Sequence, residues 1–284
     1  MVHLSIVMPV YNESATIRPA IERVLSVDYP CPVELIVVDD GSTDGTLAIL
    51  DELAARGPRV VAHPRNLGKG AAVRTGVAEA RGTHMIILDA DLEYSPHDIP
   101  AMLRPVVDGR ADHVFGARVF GLNTRYQSFR FAVGGRALTL AANVLYDSCL
   151  TDMHTCLKLL PVADFRALSL RENGFGLDTE LTARLIRGGV RPFEVPVSYV
   201  GRTFADGKKI GWRDGLRCLS ILTRVRTERH PQELSQATAA HVPHASLPAV
   251  VPPVEDEQFT VPATHRVLPR PVQAIGGDET PMAI

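Results

Sequence analysis

The run MIILDADLEYSP, residues 85–96, closes four apolar residues with Asp89 and Asp91, and Glu93 follows two positions later. Met85, Ile86, Ile87 and Leu88 read as a fully buried strand, and carboxylates at its end are costly to desolvate unless a cation or hydrogen bonds compensate them. Hard oxygen ligands on a loop leaving a strand suit Mg²⁺ or Mn²⁺, ions that keep several waters and bridge protein to substrate phosphates. Asp89, Asp91 and Glu93 are therefore candidate metal ligands. The competing reading has Asp89 capping the next helix and Asp91 merely solvated. A second acidic stretch, VVDDGSTDGT at residues 37–46, ends on Asp39 and Asp40 before the N-cap types Ser42, Thr43 and Asp44. One of the two acids could accept the imide N–H of a uracil or the N1–H of a guanine; turn formation alone is the alternative. NLGKG, residues 66–70, is too short for a Walker A loop, yet Lys69 opens a helix between glycines and can meet an anion or nucleoside.

These groups need a scaffold. From residue 4 to about 118 the chain alternates strand and helix: LSIVMPV, a helix near 16–27, ELIVVDD, a helix near 44–56, RVVAH, a helix near 70–80, HMIILDA, a helix near 96–108, and HVFGA. Apolar runs alternating with amphipathic helices predict an α/β fold with a mostly parallel sheet covered on both faces. Ligands of such sheets sit beyond the carboxyl ends of the strands. Tyr11, Asn12 and Glu13 follow the first strand, Asp39 and Asp40 the second, and Asp89, Asp91 and Glu93 the fourth. Three polar clusters on one edge predict one site.

Residues 119–228 differ in texture: a helix-like stretch with Arg130 and Arg136, then LTDMHTCLKLL, FGLDTELTARLIRGG, a strand-like PFEVPVSYVGRT, and GWRDGLRCLSILTRVRTER. In the last, Trp212, Leu216, Leu219 and Leu222 with Arg213, Arg217, Arg224 and Arg226 suit either an interfacial basic helix or a core-packed one. Residues 229–284 are rich in Pro, Ala and Thr without periodicity and read as a disordered tail.

At 284 residues and 45% hydrophobic the chain can bury a sizeable core, and a net charge of −2 gives no global pull toward nucleic acid. Cys31, Cys149, Cys156 and Cys218 lack metal spacing and read as reduced thiols of a cytoplasmic protein. The N-terminus reads as a strand rather than a signal peptide, and no run approaches the roughly 18 apolar residues of a membrane span. His63, His84 and His97 are scattered and read as no one's ligands.

Together VMPVYNE, VVDDGSTDGT, NLGKGAAVRTG, DADLEYSP, LTDMHTCLKLL and GRTFADGKKIGWRDG resemble the family-2 glycosyltransferases of the GT-A (Rossmann-like) fold, in the branch of dolichol- and polyprenyl-phosphate mannose and glucose synthases. The resemblance implies a GT-A domain over 1–228, its nucleotide-sugar half being 1–118 and its acceptor half 119–228. It implies metal-dependent, inverting hexose transfer from a UDP- or GDP-sugar. Pro9, Tyr11, Glu13 and Asp40 would hold the nucleoside, with Asp39 beside them; Asn12, Lys69, Ala90 and Lys208 complete the donor set. Asp89 and Asp91 would face donor and metal, and Glu93 stands where this branch often carries glutamine. Arg202 with Lys208 or Lys209, on a loop expected to close over the diphosphate, would neutralise the departing nucleotide.

For the acceptor the resemblance implies a polyprenyl phosphate, met at the inner face of the plasma membrane. A phosphate whose second pKa lies near ~6 is largely ionised at neutral pH and needs cations more than a base. Arg118 and Arg130 match the phosphate-binding positions. A hydroxyl acceptor on a soluble metabolite or glycan would instead require proton removal, for which Asp152, Asp178 and Glu180 are the candidates. Asp152, Asp91 and Arg202 are the expected catalytic set. His154 replaces a glutamate usual in this branch, and a non-catalytic nucleotide-sugar-binding protein is the alternative from another class.

Overall fold

Seven strands form the central sheet in the order β3-β2-β1-β4-β7-β5-β8. The computed structural model describes residues 1–119, 123–202 and 212–228. Lys208, Lys209 and the tail from 229 lie outside them. The strands are β1 (Leu4–Val10), β2 (Val33–Asp39), β3 (Arg59–Ala62), β4 (His84–Ile87), β5 (Val114–Ala117), β7 (Lys158–Pro161) and β8 (Phe193–Pro196). The short pair β6 (Thr124–Arg125) and β9 (Tyr199–Val200) stands apart. The helices are α1 (Ile17–Leu25), α2 (Thr46–Ala54), α3 (Lys69–Glu79), α4 (Ile99–Val107), α5 (Phe129–Tyr146), α6 (Val162–Ala167), α7 (Gly176–Arg187) and α8 (Trp212–Thr227).

β1 lies between β2 and β4 in parallel register, Leu4 facing Val33 on one side and His84 on the other. It is apolar on both faces because both are covered. Leu4, Ile6 and Met8 pack toward α1, α2 and α4, while Val7 points the other way into a cluster with Val73, Val77, Leu177 and Leu181. A third cluster, around Ala142, Tyr146, Ile186, Leu222 and Val225, joins α5, α7 and α8.

The sheet departs from parallel at β7, which runs antiparallel between β4 and β5. This reversal matters for the site. It brings the segment before Lys158, containing Asp152 and His154, to the edge where β1, β2, β4 and β5 end. LTDMHTCLKLL disguises the strand because Lys158, fully buried, interrupts its apolar run. PFEVPVSYVGRT proves to be two strands in two sheets: β8 stops at Pro196, and the Ser198 N–H turns to Asp98 Oδ2 at 2.8 Å. The helix expected over 96–108 divides into a 3₁₀ turn, Pro96–Asp98, and α4.

Candidate active site

The β1–α1 and β2–α2 loops are stitched together by their own polar groups. The Asn12 N–H donates to Ser42 Oγ (2.9 Å), the Thr43 N–H to Asn12 Oδ1 (2.8 Å) and the Glu13 N–H to Thr46 Oγ1 (3.0 Å). Asn12 has φ 55°, a left-handed conformation that asparagine tolerates. Its side-chain oxygen is thus committed to loop structure.

Asp40 is likewise engaged. Oδ1 accepts the Leu67 N–H (2.9 Å) and meets His63 Nδ1 (2.7 Å), and Oδ2 accepts the Gly68 N–H (2.7 Å). The carboxylate shapes the turn that delivers Lys69. Gly68 is required there: its φ is 100°, and a Cβ would strike the carbonyl of Asn173. Neighbouring Asp39 differs, for Oδ2 accepts the Ser42 N–H at 3.1 Å whereas buried Oδ1 has no partner. Of the two acids, Asp39 retains an open acceptor.

A cleft of about 1250 Å³ opens beyond these strand ends, lined among others by Pro9, Tyr11, Glu13, Asp40, Lys69, Asp89, Ala90, Asp91, Glu93, Arg118, Arg130, Asp152 and Arg202. Charges alternate across its floor. Lys69 Nζ is 2.8 Å from Asp89 and 3.5 Å from Asp178, which also lies 3.5 Å from Lys158. Burial pulls the Lys69 ammonium down, but Asp89 and Asp178 outweigh it and leave the group raised. Arg202 bridges Asp91, 111 positions earlier in sequence, and Glu13, 189 positions earlier, each at 3.1 Å.

Asp91 lies under a heavier negative load. Burial, then repulsion from Asp89 and Glu93, pushes its carboxyl up to about 7, against the Glu93 N–H and Arg202. Such a group fits a further cation. Among the described residues no three His, Cys, Asp or Glu side chains gather into a metal cluster. Glu93 is engaged differently from Asp91. Its Oε2 accepts the Tyr199 hydroxyl at 2.9 Å and its Oε1 the Arg202 backbone N–H at 2.7 Å, which anchors the residue that bridges Asp91.

At the other end Arg118 and Asp152 form a two-point pair, Nε to Oδ2 at 2.5 Å and Nη2 to Oδ1 at 2.9 Å. Burial would raise the Asp152 carboxyl, but Arg118 outweighs it and holds the group below the ordinary carboxylate range. A carboxylate so held is a poor proton acceptor. The guanidinium stacks 4.9 Å from the Tyr199 ring, which Tyr94 and Tyr126 flank at 5.1 and 5.8 Å. Arg130 is exposed at the start of α5, on the cleft wall.

Asp178 and Glu180, two apart on α7, point to different places. Asp178 joins the lysines of the cleft, which hold its carboxyl low against the opposing effect of burial. Glu180 is fully buried, accepts the N–H groups of Arg171 and Glu172 at 2.8 Å, and pairs with Arg184 at 2.9 Å. Neither has the character of a base. His154 lines the cleft with Nε2 unpartnered, and burial pushes it down to about 4. It is neutral at pH 7. Lys158 and Tyr199 escaped sequence reasoning; a single lysine within an apolar run was the available signal for the first.

The family described as glycosyl transferase family 2 matches residues 5–153. The chain belongs to that family. Among its relatives, dodecaprenyl-phosphate galacturonate synthase of Rhizobium johnstonii is 40% identical over 120 residues, 40% of this chain and 36% of that protein. Glycosyltransferase AglJ of Haloferax volcanii is 28% identical over 69% of this chain and 63% of its own. Dolichol-phosphate mannosyltransferase of Saccharomyces cerevisiae is 26% identical over 74% of this chain and 83% of its own. The chain thus spans about a third of the first relative's length and under two thirds of the second's. In fold it is similar to glucosyl-3-phosphoglycerate synthase from Mycobacterium tuberculosis, solved with Mn²⁺, UDP and glucosyl-3-phosphoglycerate: TM-score 0.59, 22% identity, 79% of this chain and 80% of that one. The fold is GT-A.

Proposed function

We propose that this glycosyltransferase moves a hexose, with inversion, from a UDP- or GDP-sugar to the phosphate of a polyprenyl phosphate, at the cytoplasmic face of a membrane. The observation that carries the reading is the Arg118–Asp152 pair: the acid nearest the acceptor end is bound at two points by a guanidinium and held ionised. That environment suits an acceptor already carrying its charge. Two relatives are named for dodecaprenyl phosphate and dolichol phosphate.

Residues 1–118 supply most of the donor site and 119–228 most of the acceptor side, with Arg118, Arg202 and Lys208 crossing that division. The Asp39 Oδ1 that has no partner accepts the base N–H, and Tyr11 and Pro9 flank the nucleoside. A divalent cation, Mg²⁺ or Mn²⁺, would be held by Asp91 and Asp89 and would supply positive charge to the donor diphosphate. Lys69 and Arg202 contribute fixed cations beside it, and Lys208 is expected to add a further one. An oxygen of the acceptor phosphate attacks the anomeric carbon, and the bond to the diphosphate breaks with its electron pair leaving on the nucleotide. No proton moves, because the nucleophile is already ionised. Arg118 uses Nε and Nη2 on Asp152 and offers Nη1 to the acceptor phosphate, while Arg130 adds charge at the mouth.

The test is a pair of variants. Arg118→Ala should raise the apparent KM for polyprenyl phosphate roughly 10- to 100-fold, the loss of a charge-assisted hydrogen bond, with donor binding unchanged. Asp152→Asn should keep measurable turnover. Complete loss in Asp152→Asn with full activity in Arg118→Ala would instead mark Asp152 as a base and the acceptor as a hydroxyl.

A further inference from the structure

Tyr199 links the two ends of the cleft. It stands on the two-residue strand β9 and is 2% exposed. Its hydroxyl donates to Glu93 Oε2 at 2.9 Å, and the Arg118 guanidinium lies 4.9 Å from the centroid of its ring. One side chain thus touches both the acid that follows Asp89 and Asp91 and the cation of the acceptor end. Room for it is built in. A Cβ on Gly201 would come within 3.1 Å of the hydroxyl and 3.2 Å of the ring, and Tyr94 and Tyr126 close on the ring at 5.1 and 5.8 Å.

The two contacts lead to different ligands. Glu93 grips residues 199–202: Oε2 takes the Tyr199 hydroxyl, Oε1 the Arg202 N–H at 2.7 Å, and its carbonyl the Val200 N–H at 2.9 Å. That grip fixes the backbone from which Arg202 reaches Asp91 and Glu13. Without it, ordering a long side chain together with its backbone would cost Arg202 much of what it offers a diphosphate. The ring acts at the other end. Arg118 gives Nε and Nη2 to Asp152, and an aromatic face against the guanidinium fixes the plane in which its remaining amino group points.

We infer that Tyr199 is a positioning residue with two separable parts: its hydroxyl sets the affinity for the nucleotide diphosphate through Glu93 and Arg202, and its ring sets the affinity for the acceptor phosphate through Arg118. The ring's part rests on the lipid-phosphate reading, the hydroxyl's part only on a nucleotide donor. Titration calorimetry separates them. The probes are UDP and GDP, each with Mn²⁺, and a short-chain, water-soluble isoprenyl phosphate, all used below the melting temperature of the variant concerned. Tyr199→Phe keeps the ring and removes the donor, so it should weaken binding of the nucleotide that the native chain takes by about three- to tenfold. Its affinity for isoprenyl phosphate should change by less than about twofold, since a phenyl face also holds a guanidinium. Tyr199→Leu removes both parts and should weaken nucleotide as Tyr199→Phe does, and isoprenyl phosphate by about tenfold as well. In a Glu93→Ala background Tyr199→Phe should cost nothing further in nucleotide affinity, because the two groups form one link.

A general loosening of the fold would weaken both ligands in both variants alike, and that pattern would overturn the proposal. So would unchanged affinity for both ligands in Tyr199→Leu, or a Tyr199→Phe loss that adds in full to that of Glu93→Ala. A native chain that binds nucleotide but no isoprenyl phosphate brings down the lipid-phosphate reading and the ring's part with it. A native chain that binds both, with Tyr199→Leu holding isoprenyl phosphate as tightly, brings down the ring's part alone.

Discussion

Replacing Asp91 by asparagine removes the charge that the ligand-free cleft tolerates least. The side chain is 17% exposed, and burial with Asp89 and Glu93 lifts its pKa from 3.8 to about 7. A raised folded pKa for an acid means that ionisation opposes folding: the penalty is full above pH 7 and disappears as pH falls toward the unfolded value. Each pKa unit corresponds to about 1.4 kcal/mol, so the ceiling at pH 8 is on the order of 4 kcal/mol. By the same relation about 2–3 kcal/mol of this should vanish between pH 8 and pH 5. Asp91→Asn, measured by urea unfolding with chelator present, should therefore be more stable than the native chain at pH 8, and its advantage should shrink on acidification. The same variant should lose transfer if Asp91 is the cation ligand proposed above. A variant no more stable than the native chain at pH 8, or an advantage independent of pH, would refute the reasoning.

Glu93→Gln should retain most activity, because an amide oxygen can still accept the Arg202 N–H, whereas Glu93→Ala should slow turnover roughly tenfold or more by loosening Arg202; equal loss in both would mean that the negative charge of Glu93 is what matters. Ending the chain after Glu228, which keeps its 2.8 Å pair with Arg184, should leave melting temperature and turnover nearly unchanged, as the composition of 229–284 implies; a large loss of either would show that the tail contributes contacts.

Much of the fold was legible because buried parallel strands write themselves as apolar runs, and LSIVMPV and ELIVVDD correspond to β1 and β2. β7 was not legible, since a buried lysine in a strand is affordable only with partners that lie elsewhere in the chain, here Asp178 of α7. Within the site, the acids at strand ends announced a common edge. Their individual environments did not. Asp39 and Asp40 are adjacent in sequence, yet one is enclosed by the backbone of residues 67 and 68 and the other keeps an open acceptor. That difference is set by which way each side chain points at the end of β2 and by a loop some 27 residues away. Glu93 shows the same limit: its position beside DAD suggested a metal ligand, and its partners, Tyr199 and Arg202, belong to a segment more than 100 positions later. Asn12, grouped with the donor residues by position, turned out to bind the Thr43 N–H.

The central claim is tested most directly by incubating the purified chain with radiolabelled UDP- and GDP-hexoses, Mn²⁺, and either a polyprenyl phosphate or a panel of sugar and small-metabolite hydroxyl acceptors, then determining the product's linkage. The account predicts label in a lipid-soluble polyprenyl-phosphate sugar, β-linked from an α-linked donor, and none in the hydroxyl acceptors. Label in a hydroxyl acceptor with none in the lipid, or an α-linked lipid product, would contradict it.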